Sequence, residues 1–236
     1  DTQNNAIRII ALDGSVTTLA GLGPNNGGYV DGDCSVATFS LPKGLDVRHE
    51  IQNGVSVTVV IVADTGNHRI RRIDSIASEN SCVVSCLTGL CGNNSLSATE
   101  FQFAAEPVTG YADGNGTEAR FSAPESVAFM ENDHFVVADT GNFLLRWVNI
   151  TTGGTATLAG HVIHGPTDPF GNPLAGCTPP CLAGQQGFRD GNLTYVEFYN
   201  PVDVTRGPNN TVWIADEQRI RILELPGVTT QYYGIR

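Results

Sequence analysis

One short string occurs four times along this sequence, and its recurrence constrains the fold more than any other feature. The string reads VADTGNHRIRRI at residues 62–73 and VADTGNFLLRWV at residues 137–148. Residues 214–223, IADEQRIRIL, form a shortened copy, and residues 1–10, DTQNNAIRII, form a copy that begins at its Asp. Each copy is typical of two strands joined by a tight turn. In that turn, Gly and Asn are expected to supply a positive φ, and Asp is expected to accept hydrogen bonds from the amides that follow it.

A second block recurs three times with constant internal spacing. It begins with Gly-aromatic-x-Asp-Gly and continues to a Phe and a Pro, at residues 28–45, 110–127 and 187–204. The Asp-Gly pair predicts a turn, and the Phe is expected to fill an apolar layer. The Pro precedes a strand, at a position where the sheet loses no hydrogen bond. Constant spacing without insertions indicates that the block is a rigid unit.

The segments between these blocks predict an all-β chain with a β-propeller fold. A short strand ends in Leu-Ala-Gly at residues 16–21 and 155–160, with looser copies at 84–89 and 228–234. Each unit then reads as four antiparallel strands, which is the pattern of a propeller blade. The first strands are expected at 44–47, 126–129 and 202–205, the second at 57–63, 134–138 and 211–215, and the third at 69–73, 144–148 and 219–223.

The repeat predicts about three and a half blades, namely a partial blade at 1–27 and blades at 28–109, 110–186 and 187–236. Closed propellers need at least about four blades. Either residues that precede Asp1 complete the ring, or a second chain does, or the blades form an open arc in a larger assembly.

Three insertions depart from the repeat. Residues 48–54 predict a lengthened hairpin, and residues 80–105 and 161–186 predict long loops on one rim of the propeller. Surface loops on a rigid scaffold are where binding residues are concentrated.

An Asp and an Arg persist in all four copies of the first string. A buried Arg is costly unless it is paired, so we expect each Arg to pair with a turn Asp of its own or of the next blade. The alternative is a ring of Arg side chains that lines the axial channel and binds an anion. The residues are Asp1, Asp64, Asp139 and Asp216, with Arg8, Arg71, Arg146 and Arg221.

Charge and hydropathy argue against two classes of partner. The formal net charge is -11, with 13 basic and 24 acidic residues, which opposes binding to a phosphate backbone and predicts no nucleic-acid partner. The sequence has no apolar run near the length of about 20 residues that a membrane helix needs. We therefore expect no membrane insertion in this segment.

The cysteines and the glycosylation motifs predict an extracellular or cell-surface location. Six cysteines favour three disulfides in an oxidising compartment, with a local bridge between the last two and the other pairings open. Zinc binding is the alternative, although the spacing is irregular for a zinc site and no His is near. The cysteines are Cys34, Cys82, Cys86, Cys91, Cys177 and Cys181, and the N-glycosylation motifs begin at Asn93, Asn115, Asn149, Asn192 and Asn209.

The two repeated blocks and the Leu-Ala-Gly strand together resemble the NHL-repeat β-propellers of the extracellular type. Residues 63–70, ADTGNHRI, contain the Asn-His-Leu-type core of that family, residues 138–143 replace the His with Phe, and residues 215–219 lack two turn residues. The shortened copy leaves the geometry of its hairpin open. The family includes protein-binding platforms, RNA-binding surfaces, sensor ectodomains and a peptide-amidating lyase. The resemblance therefore implies the fold more than the function.

Candidate catalytic and metal-binding groups are sparse. The lyase branch of the family holds a metal at the propeller axis with His from several blades, whereas here only His68 lies in the repeated string. His161, His164 and Asp168 could hold a metal, and a flexible loop is the alternative. We predict no catalytic residue, no bound metal and no cofactor. Calcium is the remaining candidate at the Asp-Gly turns, where each Asp capping its own turn is the alternative, at Asp31, Asp33, Asp113 and Asp190.

Together these features predict a non-enzymatic module, either structural or protein-binding, of a secreted or cell-surface glycoprotein. Its partners would be other proteins or further copies of itself, bound through the rim loops, and it would carry N-linked glycans. One alternative is a metal-dependent lyase or hydrolase with a site at the propeller axis. Another is a building block of an extracellular filament, which the incomplete ring suggests.

Overall fold

A computed structural model of the chain describes residues 1–76, 81–91, 109–162 and 184–225. The described part is all-β, and its strands are paired antiparallel. The strands are β1 (Ile7–Ile10), β2 (Val16–Ala20), β3 (Gly32–Asp33), β4 (Pro42–Gln52), β5 (Val55–Asp64), β6 (Arg69–Ile76), β7 (Ser81–Thr88), β8 (Ser126–Phe129), β9 (His134–Asp139), β10 (Leu144–Asn149), β11 (Thr155–Ala159), β12 (Pro201–Arg206), β13 (Thr211–Asp216) and β14 (Arg219–Glu224).

These strands form four sheets in chain order. The first sheet is β1-β2, the second is β3-β7-β6-β5-β4, the third is β11-β10-β9-β8, and the fourth is β12-β13-β14. Strand β4 lies beside β8, and β8 lies beside β12, so the strands that follow the repeated Pro are neighbours. This arrangement of successive antiparallel sheets is propeller-like. Among the described residues, no helix is long and apolar enough to cross a bilayer.

The apolar core lies between sheets. Three clusters of buried side chains separate the first sheet from the second, the second from the third, and the third from the fourth. The Phe of each Asp-Gly block is fully buried in one of these clusters, as Phe39, Phe121 and Phe198. The prediction that the repeated Phe fills an apolar layer is therefore confirmed. Burying a Phe side chain stabilises the folded chain by about 1.5–3 kcal/mol relative to leaving it exposed to water.

The expected strand positions are confirmed within the described residues, with two differences in length. Strands β4 and β5 continue to a turn at Asn53 and Gly54, which makes the predicted long hairpin. The fourth strand of the second sheet was expected at 84–89, and β7, Ser81–Thr88, confirms it by pairing with β6. Because β7 begins earlier than expected, residues 81–88 are strand, and the prediction of a loop over all of 80–105 was wrong there. The fourth strand expected at 228–234 lies outside the described residues.

The turn of the repeated string differs from the expected geometry. It is a short 3₁₀ turn at Thr65–Asn67, and the positive φ belongs to the next residue, His68, at 54°. Gly66 is needed for space instead, since a Cβ there would lie 2.5 Å from Ser40 Oγ. The expectation that Gly66 and Asn67 supply the positive φ was wrong, whereas in the first copy Asn5 does have a positive φ, at 49°. The same turn recurs at Thr140–Asn142.

The shortened copy still forms a hairpin. Asp216 pairs directly with Arg219, with two residues between them, whereas four residues separate Asp64 from Arg69. Removing two residues preserves the alternation of side chains along the following strand, because that alternation has a period of two. Arg221 therefore faces the same side of its sheet as the Arg of the longer copies.

Candidate functional site

The persistent Arg lies at a buried polar centre that is repeated in three sheets. Arg146 is fully buried. Its Nη1 donates to Asp139 Oδ2 at 2.8 Å and to the Arg120 carbonyl at 3.0 Å. Its Nη2 donates to Asp113 Oδ1 and to the Ala112 carbonyl, both at 2.7 Å. Arg71 and Arg221 make the same four contacts in the second and fourth sheets.

Asp139, the Asp of the repeated string in the third sheet, accepts three hydrogen bonds through its carboxylate. Asp139 Oδ1 accepts from the Ser122 amide, and Oδ2 accepts from Asn142 Nδ2 as well as from Arg146, all at 2.8 Å. Asp139 therefore does not cap its own turn, which corrects the expectation from the sequence. Burial raises the pKa of Asp139, and the Arg146 guanidinium opposes that rise. The guanidinium is the largest of the effects that oppose the rise, ahead of the hydrogen bonds from Asn142 and Ser122.

The geometry excludes the arginine-ring hypothesis for the three buried copies. Their Nη atoms donate to carboxylates and carbonyls inside the sheet, so they do not line an open channel. The same contacts overturn the idea that each Asp-Gly carboxylate caps its own turn. Asp31, Asp113 and Asp190 bind the Arg instead. Asp33 does bond the Ser35 amide, at 2.8 Å.

The copy at the start of the sequence has a much looser pair. Arg8 lies 3.7 Å from Asp1, and both side chains are 36% exposed. The first sheet contains only β1 and β2, so its Arg is not enclosed as the others are.

Two hydrogen bonds of the repeated turn join one sheet to the next. Thr65 Oγ1 donates to the Pro124 carbonyl at 2.6 Å, and Thr140 Oγ1 donates to the Pro201 carbonyl at 2.7 Å. No role for this Thr was predicted from the sequence, although Thr65 and Thr140 recur at the same position and the shortened copy has Glu217 there.

The residue with a positive φ also links neighbouring sheets. His68 Nδ1 accepts a hydrogen bond from the Ala123 amide at 2.9 Å, and Asn5 Oδ1 accepts from the Leu41 amide at 2.8 Å. Phe143 occupies this position in the third sheet and has no acceptor. His68 therefore has a structural role here, as a neutral acceptor at a sheet boundary.

We predict that His68 makes stability fall in mild acid. Burial, and secondarily the Arg69 guanidinium, lower the pKa of His68 below its usual 6.5. A His with a lowered pKa contributes stability that is complete above about pH 6.5 and is lost as pH falls through the folded-state pKa. Urea unfolding at pH 7.5 and 5.0 should show a loss about 1 kcal/mol larger in the natural chain than in His68→Asn.

The Asn variant is a matched control, because Asn5 makes the equivalent bond without titrating and Asn tolerates a positive φ. Equal pH dependence in the two proteins would show that His68 is not the titrating group.

No group of three or more His, Cys, Asp or Glu that could hold a metal occurs among the described residues. His161 lies 3.8 Å from Glu197, and Arg189 lies 3.6 Å from the same carboxylate. His164 and Asp168 lie outside the described residues. Of the calcium candidates, Asp31, Asp113 and Asp190 each bind a guanidinium, and Asp33 accepts from Ser35.

Two disulfides are present in the described part of the chain. Cys34 is joined to Cys82, and Cys86 is joined to Cys91. The first ties the Asp-Gly block to β7, and the second closes the start of the segment that follows β7. Cys177 and Cys181 lie outside the described residues.

Four of the glycosylation motifs can be placed, and Asn93 lies outside the described residues. Asn115, Asn192 and Asn209 are exposed, and Asn149 is half-buried. Asn192 Oδ1 accepts from the Thr194 amide at 3.2 Å, as Asp33 does from Ser35 in the second sheet. Turn chemistry alone therefore accounts for an Asn at this position.

Comparison with known proteins adds to this geometry. The chain is 30% identical over 106 residues to NHL repeat-containing protein 2 of Gallus gallus. In this match and in its repeated strand pattern, the chain is similar to the NHL-repeat proteins. No protein-family model matches it. The match covers 45% of this chain and 12% of the Gallus gallus protein, so the chain spans a small part of that relative.

Solved structures share the fold of this chain. An auxiliary nutrient binding protein of Bacteroides thetaiotaomicron gives a TM-score of 0.55 at 16% identity, covering 91% of this chain and 41% of that one. A second protein of the same organism, described provisionally as a phosphatase, gives 0.50 at 20% identity, covering 77% and 35%. At these identities the likeness concerns the fold alone.

Proposed function

We propose that this chain is an NHL-repeat protein that serves as a non-enzymatic binding module of a secreted or cell-surface glycoprotein, and that it contacts partner proteins through its rim loops. One observation carries the proposal. The Arg that recurs in the repeat is buried and donates to two carboxylates and two carbonyls, as at Arg146, so its guanidinium is committed to contacts within the chain. Specific recognition would then depend on the segments that do not repeat.

The anchoring of the first rim loop supports this assignment. The Cys86–Cys91 disulfide closes the segment just before residue 92. The Leu90 amide donates to the Ala119 carbonyl and the Cys91 amide to the Gly116 carbonyl, which fastens the segment to the third sheet. A loop fastened at its base loses less entropy on binding. The structural neighbour named as a nutrient binding protein agrees with a binding role.

We infer that further blade-type sheets cover both ends of the described arc, from the same protein or from another copy. Leu45 is 43% exposed, whereas its equivalent Val127 is buried against the second sheet. At the other end, Trp213 is 41% exposed, whereas its equivalent Ile61 is buried. Leu45 and Trp213 therefore lie on sheet faces that are exposed, whereas the equivalent faces within the chain are buried between neighbouring sheets. A copy of the same chain on both ends would produce the filament alternative.

The binding proposal can be tested by replacing the loops. Residues 92–108 and 163–183 would each be exchanged for a short Gly-Ser linker in the secreted protein, and proximity labelling of extracellular proteins would be compared. We expect partner labelling to fall at least about tenfold in one or both loop variants. A variant with the hairpin at residues 48–54 shortened should label as the natural chain does. Undiminished labelling in both loop variants would contradict the proposal.

The enzyme alternative has a separate test. A lyase or hydrolase with an axial metal would retain stoichiometric zinc, calcium or iron after purification, and elemental analysis measures this directly. We expect no metal at stoichiometry. A metal that is retained and then lost on His161→Ala would move the proposal to the enzyme class.

A further inference from the structure

Three Asn-Gly pairs occur in the sequence, and all of them lie in the part of the chain that the structure describes. Such a pair can lose the Asn side-chain amide, because no side chain shields the Gly backbone nitrogen from attacking the Asn Cγ atom. The attack requires the backbone between the two residues to rotate. A folded chain therefore suppresses the reaction wherever it holds that backbone in place. The pairs begin at Asn26, Asn53 and Asn115.

The pair at Asn26 is held by hydrogen bonds on its side chain and on its backbone. Asn26 Nδ2 donates to the Leu22 carbonyl at 3.1 Å. The Asn26 backbone amide donates to the Gly23 carbonyl, also at 3.1 Å. Nδ2 is the atom that would leave in the reaction, and here it is bound to the backbone four residues earlier. Both bonds would have to break before the side chain could turn towards Gly27.

The pair at Asn115 is held through its backbone. The Asn115 carbonyl accepts from the amides of Glu118 and Ala119, at 2.8 Å and 2.9 Å. Gly116 is packed against the second sheet so closely that a Cβ on it would lie 2.6 Å from the Leu87 carbonyl oxygen. Rotation of the backbone between Asn115 and Gly116 would therefore break hydrogen bonds and disturb the contact with the second sheet.

The pair at Asn53 has no comparable restraint. Asn53 and Gly54 form the two-residue turn between β4 and β5, and both residues are exposed. Their φ angles are 52° and 80°, as a tight hairpin turn requires. A Cβ on Gly54 would meet nothing within 4 Å. The Asn53 side chain makes no hydrogen bond to another described residue.

The tip of this hairpin can open without disturbing the core. Ile51 pairs with Ser56 and is 73% exposed, and the first fully buried residue of β5 is Val57. The base of the hairpin is fastened separately, since Arg48 Nη2 donates to Asp133 Oδ1 of the third sheet at 3.1 Å. Local opening that exposes little buried surface costs far less free energy than global unfolding. Opening of the tip therefore leaves the base attached.

We propose that Asn53 is a modification site of this chain, at which the side-chain amide is lost and isoaspartate forms. The Gly54 backbone nitrogen bonds to Asn53 Cγ, the Cγ–Nδ2 bond breaks, and ammonia leaves with the proton of the Gly54 amide. A water molecule then adds to the five-membered cyclic imide. Addition at one imide carbonyl gives Asp, and addition at the other gives isoaspartate. This inference does not depend on the binding role proposed above.

The product would change the hairpin and leave the rest of the sheet intact. Isoaspartate carries the chain through its side-chain methylene, so the backbone of the turn becomes one atom longer and gains a free carboxylate. A two-residue hairpin turn depends on the backbone geometry of both its residues. We therefore expect the tip of the β4–β5 hairpin to separate, while Val57 and the contact between Arg48 and Asp133 persist.

The test follows all three pairs in one sample of the full chain. The protein would be secreted into the periplasm of a bacterial host, where disulfides form and Asn115 receives no N-glycan. After incubation at mildly alkaline pH, peptide mass spectrometry would measure deamidation at each site, and an isoaspartate-specific carboxyl methyltransferase would identify the product. We expect Asn53 to react about tenfold faster or more than Asn26 and Asn115, which corresponds to about 1.4 kcal/mol less opening free energy. In denaturant the three sites should react at similar rates.

Gly54→Asp is the matched variant, because Asp tolerates a positive φ. It reproduces the end of the β8–β9 turn, where Asn132 and Asp133 have φ angles of 55° and 57°. Its Cβ would shield the attacking nitrogen and should slow deamidation of Asn53 about tenfold or more, with the other two sites unchanged. The proposal is overturned if Asn53 in the folded natural chain reacts no faster than Asn26 or Asn115. It is also overturned if Gly54→Asp reacts at Asn53 as fast as the natural chain.

Discussion

Replacing Arg146 with Met should lower the free energy of unfolding by about 3–5 kcal/mol. The guanidinium is fully buried and donates to two carboxylates and two carbonyls. Without it, Asp139 would be left as a buried carboxyl group whose pKa burial already raises. The loss of stability comes from leaving the two carboxylates and two carbonyls without their donor, and it exceeds the contribution of a single ion pair. Urea denaturation followed by Trp fluorescence would measure it.

Arg8 provides the internal control for this prediction. It is the same residue of the same repeated string, but its side chain is 36% exposed and lies 3.7 Å from Asp1. Arg8→Met should cost less than about 1 kcal/mol, as expected of an exposed pair. Similar losses in the two variants would mean that burial of the Arg does not decide its contribution.

A double-mutant cycle would assign the loss to a specific contact. Asp139→Asn keeps the shape of the side chain and removes its charge, and it lies 2.8 Å from the guanidinium. The two changes should be non-additive by about 1–3 kcal/mol, because both remove the same interaction. Additive losses would place the stabilisation in the carbonyl contacts of Arg146 instead.

The spacing of the repeat predicted most of the fold. Fixed intervals between Asp-Gly, Phe and Pro placed the strands within a few residues, because each block must fill the same space between sheets. The hairpin of the shortened copy was left open by the sequence, and the structure shows that losing two residues keeps Arg221 on the same side of its sheet. Repeat spacing and side-chain alternation are local properties, so they can be identified in a single sequence.

The partners of the polar residues could not be predicted in the same way. Arg146 binds Asp113, which is 33 residues earlier in the chain, and Thr65 binds a carbonyl 59 residues later. Recurrence shows that such positions matter, but it does not show which distant group each one meets. The turn was misassigned for a related reason. Gly66 is constrained by contact with Ser40 and not by its own φ, so local turn rules gave the wrong cause.

The stacking of Phe188 on Tyr199 could not be predicted from residues that recur, because both residues depart from the repeat. Tyr199, which occupies the position of Ser40 and Ser122, and the short turn appear in the sequence as separate losses of the pattern. Their connection depends on the close contact between Gly66 and Ser40 in the second sheet, which only the packing reveals. Departures that coincide in space are thus as informative as the repeated residues.

Phe121→Ala should destabilise the chain by about 3–5 kcal/mol. Phe121 is fully buried between the second and third sheets, among side chains contributed by both. Its ring also lies 5.1 Å from the Arg146 guanidinium, so the cavity would open beside the buried polar centre. The loss should therefore exceed that of an aliphatic residue at the edge of the same cluster, and urea unfolding would quantify it.

Phe188→Ala is the matched comparison, because it removes the same ring from a surface where 42% of the residue is already exposed. It should cost about 1 kcal/mol or less, since little apolar contact is lost and no enclosed cavity forms. Phe121→Leu should fall between the two, because it retains most of the apolar volume. If Phe121→Ala and Phe188→Ala were equally stable, the core would not lie between the sheets, and the interface that joins successive blades would have to be sought elsewhere.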